Sequence, residues 1–140
     1  MFATPATVLS ACATLLAVMI LFYTFGQAGK MRSRHKILAP AITGHPEFER
    51  ALRVQMNTVE QVVIFLPLLW IATTYFRIYG WLPATLGFVW CLGRIIYSMG
   101  YMAAAEKRGT GFIISMLANV ALLILSIYGL TATFIAGTVL

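Results

Sequence analysis

The stretch from Ala6 to Phe25 carries no charged residue and is followed at once by GQAGKMRSRHK. At about 1.5 Å per helical residue it covers about 30 Å, the thickness of a bilayer's hydrocarbon core. It lacks the basic flank of a secretory signal and is long for a signal's apolar segment, so it reads as a retained span. Three more apolar runs follow, separated by a basic loop holding Pro40, Gly44 and Pro46, by YGWLP and by EKRGTG. The expected spans lie at about 5–28, 47–76, 82–106 and 110–137. The chain is 61% hydrophobic and only 10% charged, whereas soluble domains are about 25% charged. The fold class is therefore all-α integral membrane. Residues 1–140 read as a single domain, a four-transmembrane-helix bundle in up-down-up-down order.

The formal net charge of +6 does not point to nucleic acid, because the cations flank the spans. Lys30, Arg32, Arg34 and Lys36 follow the first run, and Lys107 and Arg108 lie between the third and fourth. The other side offers Arg77 alone. The positive-inside rule then places both basic loops in the cytoplasm and both termini opposite. Cys12 and Cys91 lie inside apolar runs and read as small buried hydrophobes. His35 and His45 have no third ligand at metal-binding spacing, so no metal site is expected.

The second span departs from a plain membrane helix. It is about 30 residues long, or about 45 Å, so its first turns should stand at or above the headgroups. At about 100° per residue, Arg50, Arg53, Asn57, Glu60 and Gln61 share one stripe, and Gln55 takes the opposite face. Arg94, Tyr97, Tyr101 and Arg108 share a narrow sector of the third. Ionisable groups in a membrane are costly and turn towards a bundle interior or an aqueous cavity. Counting inward from the cytoplasmic ends brings Glu60 level with Arg94, which predicts an ion pair between the deepest acid and the deepest base.

Three readings of the stripes stay open at this level: a bundle fastened by its own polar contacts, a pore, or an anion site. One carboxylate cannot neutralise Arg53, Arg94 and Arg108 together. That surplus favours a compact ligand with carboxylates for the arginines and an ammonium for Glu60.

The string E-F-E-R-A-L-R-V-Q-M-N-T-V-E, followed by R-I-I-Y-S-M-G-Y and a downstream arginine, resembles the membrane-associated proteins in eicosanoid and glutathione metabolism, the MAPEG family. The resemblance covers almost the whole chain, and its wording is most similar to bacterial members, which implies a bacterial inner membrane. It implies a homotrimer that binds glutathione as co-substrate, without a metal, near the cytosolic side and between subunits. By position, Arg32, Arg53, Gln55, Asn57, Glu60, Tyr97 and Tyr101 would hold glutathione, and Arg108 would be the catalytic residue that activates its thiol.

The implied activity is a glutathione S-transferase, or also a peroxidase, acting on a lipophilic electrophile or hydroperoxide in detoxification. The alternatives are a non-catalytic lipid-binding or accessory member, or a small channel or transporter subunit. Two positions depart from the leukotriene-forming members. Gln61 stands where they carry tyrosine, and Arg32 is followed by Ser33 where they have paired arginines.

Overall fold

The computed structural model describes residues 4–138 and is helical throughout its long elements. They are α1 (Pro5–Arg34), α2 (Pro46–Tyr75), α3 (Leu82–Ala103) and α4 (Gly109–Thr138), with a single 3₁₀ turn at Ala105–Arg108 before α4. All four are long and apolar enough to cross a bilayer, and the chain is a multi-pass integral membrane protein.

Local chemistry explains where the helices start and stop. Thr4 caps α1 by accepting from the Thr7 N–H at 3.3 Å, and Pro5 occupies the first turn, where its missing N–H is no loss. Downstream, α1 continues to Arg34, beyond the apolar run. Arg32 and Arg34 in its last turn complement the negative end of the helix dipole. His45 caps α2 through Nδ1, which accepts from the Glu47 N–H at 3.2 Å, and Glu47 and Glu49 supply negative charge to the first turn. At the end of α3, Ala104 is extended and breaks the helix before the 3₁₀ turn.

The core between the helices is built from small residues on α1 and large ones on α2 and α3. Ala13 and Ala17 let α1 approach closely, while Phe65 stacks on Trp90 with centroids 4.1 Å apart and planes 5° apart. Ala118 and Leu122 close the core from α4. A second cluster of Ala28, Met31, Phe48 and Ala51 ties the end of α1 to the start of α2. The outer surface is apolar: Met19, Phe22, Val63, Ile124 and Phe134 are all more than half exposed, as a lipid-facing surface requires.

Buried polar groups link the helices. Ser10 and Thr73 hydroxyls meet at 2.8 Å, and Asn119 Nδ2 donates to Gln61 Oε1 at 3.0 Å. Gln61 thus leaves the stripe assigned to it and turns into the α2–α4 contact, where it is 6% exposed. Gly111 is what allows α4 to lie so near α3, because a Cβ there would run into the backbone of Tyr97. Cys91 is buried as expected of a small hydrophobe. Cys12 is not: it sits on the exposed face of α1, since the small-residue seam of that helix runs through Ala13 and Ala17 instead.

Candidate functional site

The two polar stripes meet in one cleft of about 460 Å³. From α2 come Arg53, Met56, Asn57 and Glu60. Tyr97 and Tyr101 come from α3, Arg108 from the 3₁₀ turn and Phe112 from the first turns of α4. Both tyrosine rings pack edge to face at 5.6 Å and 64°. Arg108 Nη1 donates to the Tyr101 hydroxyl at 3.3 Å, and its guanidinium carbon lies 5.2 Å from that ring's centroid. Asn57 Nδ2 donates to Glu60 Oε2 at 3.4 Å. Arg53, Glu60 and Arg108 are exposed, so the cleft opens to the side of the bundle with its charges free to meet a ligand.

A glycine sets the position of Arg108. The 3₁₀ turn folds back against the end of α3 so tightly that a Cβ on Gly100 would collide with the carbonyl oxygen of Lys107, one residue before Arg108. An alanine at that position forces the turn outwards. Gly100→Ala should therefore lower the turnover of a reaction that depends on Arg108 by about tenfold. Steady-state kinetics would read this, with affinity for ligands of the α2 stripe nearly unchanged. Equal loss of affinity and turnover would show that the whole bundle had moved.

The expected ion pair between Glu60 and Arg94 does not form. Among the described residues the only ion pairs join Glu47 to Arg34 and to His35. Arg94 is fully buried, donating from Nη1 to Asn57 Oδ1 at 3.1 Å and from Nη2 to Thr58 Oγ1 at 2.8 Å. Its guanidinium also lies 4.1 Å from the centroid of the Tyr97 ring. The reason is rotational. Thr58 is on the buried face of α2, 1% exposed, whereas Glu60 is on the open side of the same helix, away from Arg94.

Arg32 and Gln55 do not line this cleft. The Arg32 guanidinium lies over the Phe48 ring at 4.6 Å, and Nη1 reaches the Ile37 carbonyl at 3.5 Å. Gln55 is partly buried on another face of α2.

His35 and His45 also differ from the expectation of two solvated loop residues without a third ligand. Their rings stack at 3.5 Å, and Glu47 brings a carboxylate to the pair, with potential ligand atoms of all three within 4.8 Å of one another. One nitrogen of each ring already has a partner. His35 Nε2 bonds Glu47 Oε2 at 2.9 Å, and His45 Nδ1 accepts from the Glu47 N–H. Near-parallel rings, 12° apart, hold their in-plane lone pairs in separate, nearly parallel planes. The cluster clasps the two ends of the loop.

Sequence reasoning missed Met56 and Phe112, which form an apolar wall of the cleft, and Thr58, which anchors Arg94. The missed signal for Thr58 was its place beside Asn57 on the face turned to α3. A second, apolar cleft of about 300 Å³ lies between α1 and α3, lined by Met19 and Tyr23 on one side and by Ile95, Ser98 and Met99 on the other.

The chain is 44% identical over 113 residues to an uncharacterized protein of Synechocystis sp., covering 79% of this chain and 80% of that one. It is 39% identical over 129 residues to microsomal glutathione S-transferase 2 of Homo sapiens, covering 92% of this chain and 86% of the relative. Against leukotriene C4 synthase of Cavia porcellus the identity is 37% over 127 residues, covering 91% and 83%. The MAPEG family model matches residues 10–128, which takes in α2 and α3 whole, most of α1 and α4, and every residue of the polar cleft. This chain belongs to the MAPEG family.

Proposed function

We propose that the protein is a membrane-bound glutathione S-transferase that joins the glutathione thiolate to lipophilic electrophiles arriving from the bilayer. The observation that carries this reading is the composition of the open cleft: Arg53, Arg108 and two tyrosines around a single carboxylate, Glu60. Arginines suit the two carboxylates of the tripeptide, and Glu60 suits its ammonium group. Among the relatives, microsomal glutathione S-transferase 2 supports the transferase reading by name.

The thiol is a weak nucleophile until it loses its proton, with an ordinary pKa near 8.5. Arg108 keeps its charge at any working pH, so it acts by stabilising the thiolate and not by taking the proton, which leaves to water. The thiolate sulfur then attacks the electrophilic carbon, and the carbon's leaving group departs with the bonding electrons. With a hydroperoxide the same thiolate would attack the terminal oxygen, forming a sulfenic acid as the O–O bond breaks and the alkoxide leaves to be protonated to the alcohol. A second glutathione then gives glutathione disulfide and water, which makes a peroxidase activity of the same site the second reaction.

The functional unit in this reading is a homotrimer with an up-down-up-down protomer, basic loops in the cytoplasm and a bacterial inner membrane as its home. Arg53 and Glu60 are exposed on a helix that crosses the bilayer, and charged groups facing lipid are costly. A neighbouring subunit covering that face removes the conflict. The same neighbour would bring its own Arg32 and Gln55, which are outside the cleft of their own chain, to complete glutathione binding.

The test is glutathione binding by the purified protein, followed by conjugation to a chloronitrobenzene-type electrophile. Saturable binding with a rate well above buffer is the expected result. No detectable binding of glutathione would overturn the proposal.

A further inference from the structure

We propose that Arg94 is a positioning residue that sets which end of the Asn57 amide faces the cleft. This rests on the reading of the cleft as a glutathione site. Arg94 touches no ligand in that reading, because it is fully buried behind the cleft wall. It acts through Asn57 instead.

A guanidinium has five N–H donors and no acceptor. The only part of an asparagine amide that can face Arg94 Nη1 at 3.1 Å is the oxygen, Oδ1. The amide nitrogen is therefore turned outwards, where Nδ2 donates to Glu60 Oε2 and keeps a second N–H for the cleft. Without Arg94 only the 3.4 Å bond to Glu60 still holds the amide, so its donor end loses the shorter of its two restraints and its oxygen turns to the cleft more often. An anionic ligand needs the donor end, and an outward oxygen would repel a carboxylate.

The guanidinium itself is held from three directions. Nη2 donates to Thr58 Oγ1 at 2.8 Å, and Thr58 Oγ1 in turn donates to the Val54 carbonyl at 2.7 Å. The Tyr97 ring lies 4.1 Å away, in the range of a cation–π contact. The arrangement contains no carboxylate partner among the described residues. A buried arginine that serves only as a fastener normally meets an acid. Here its terminal nitrogens donate to a neutral amide and a hydroxyl while Nε has no hydrogen-bond partner among the described residues, and the amide lines the site.

The experiment is glutathione affinity, by calorimetry on the purified full-length protein, for wild type, Arg94→Met, Asn57→Ala and the double variant. Arg94→Met is expected to weaken affinity about tenfold, in line with the loss of one charge-assisted hydrogen bond. In the Asn57→Ala background the same change should have almost no further effect, because its route to the ligand is gone. Additive losses would overturn the proposal and leave Arg94 a structural residue.

Asn57→Asp supplies a second test that leaves Arg94 in place. Its carboxylate can still accept from Arg94, but it puts an acceptor where the amide put a donor. Affinity should fall at least as far as in Asn57→Ala, and affinity equal to wild type would overturn the proposal. Failure of the wild type to bind glutathione would instead overturn the functional reading, and this inference with it.

Discussion

Replacing Arg108 by alanine is expected to lower turnover in the conjugation assay by about 100- to 1000-fold, the range seen when one preorganised charge-stabilising donor is removed. Its guanidinium is held over the Tyr101 ring and bonded to the Tyr101 hydroxyl, so it waits at a fixed place before any ligand arrives. The pH profile separates this role from a loss of folding. Without the cation the bound thiol reverts towards its ordinary pKa near 8.5. The alanine variant should therefore regain part of its rate as the pH rises through that value, whereas the wild-type rate levels off at lower pH. Two parallel profiles would mean that Arg108 does not stabilise the thiolate.

Glu60→Gln is expected to raise the glutathione dissociation constant by about 10- to 100-fold, because it exchanges a charged acceptor for a neutral one of the same shape. The structure makes this a clean substitution. Glu60 is exposed and forms no ion pair among the described residues, and its one described contact is the hydrogen bond from Asn57. Thermal stability should accordingly change little, within about 0.5 kcal/mol. Turnover at saturating glutathione should be nearly kept, since in the proposed reading the carboxylate meets the ammonium end and not the sulfur. Unchanged affinity would remove Glu60 from the site.

Both expectations depend on stripes that were legible in the sequence. Arg53, Asn57 and Glu60 recur at helical spacing within an otherwise apolar segment, and the same holds for Tyr97 and Tyr101. A bilayer leaves such groups few places to go, so the pattern pointed to a shared cleft. The partner of Arg94 was not legible in the same way. Matching residue numbers by depth paired it with Glu60, but depth does not say how a helix is rotated about its own axis. Packing of α2 against α3 turned Thr58 inwards and Glu60 outwards, and Arg94 followed Thr58.

The histidine clasp was hidden for a related reason. His35 and His45 are separated by a loop, and their stacking on one another beside Glu47 exists only once the ends of α1 and α2 are brought together. Gln61 shares the stripe's spacing, yet the nearby α4 offered Asn119 as a partner and drew it out of the site. A period of 3.6 residues identifies a face but not the neighbour that will meet it.

The sequence by itself determined that this chain lives in a membrane, that it has four helical spans, and which residues share each polar face. Those follow from local quantities: run length, hydropathy and helical period. The tertiary structure alone decided that Arg94 would hold Asn57 and not Glu60, that Gly100 would let the 3₁₀ turn carry Arg108 onto Tyr101, and that Gln61 would serve the α2–α4 contact. These depend on the rotation and close approach of whole helices, which are set by small residues and packing spread over the bundle and by no single stretch of chain.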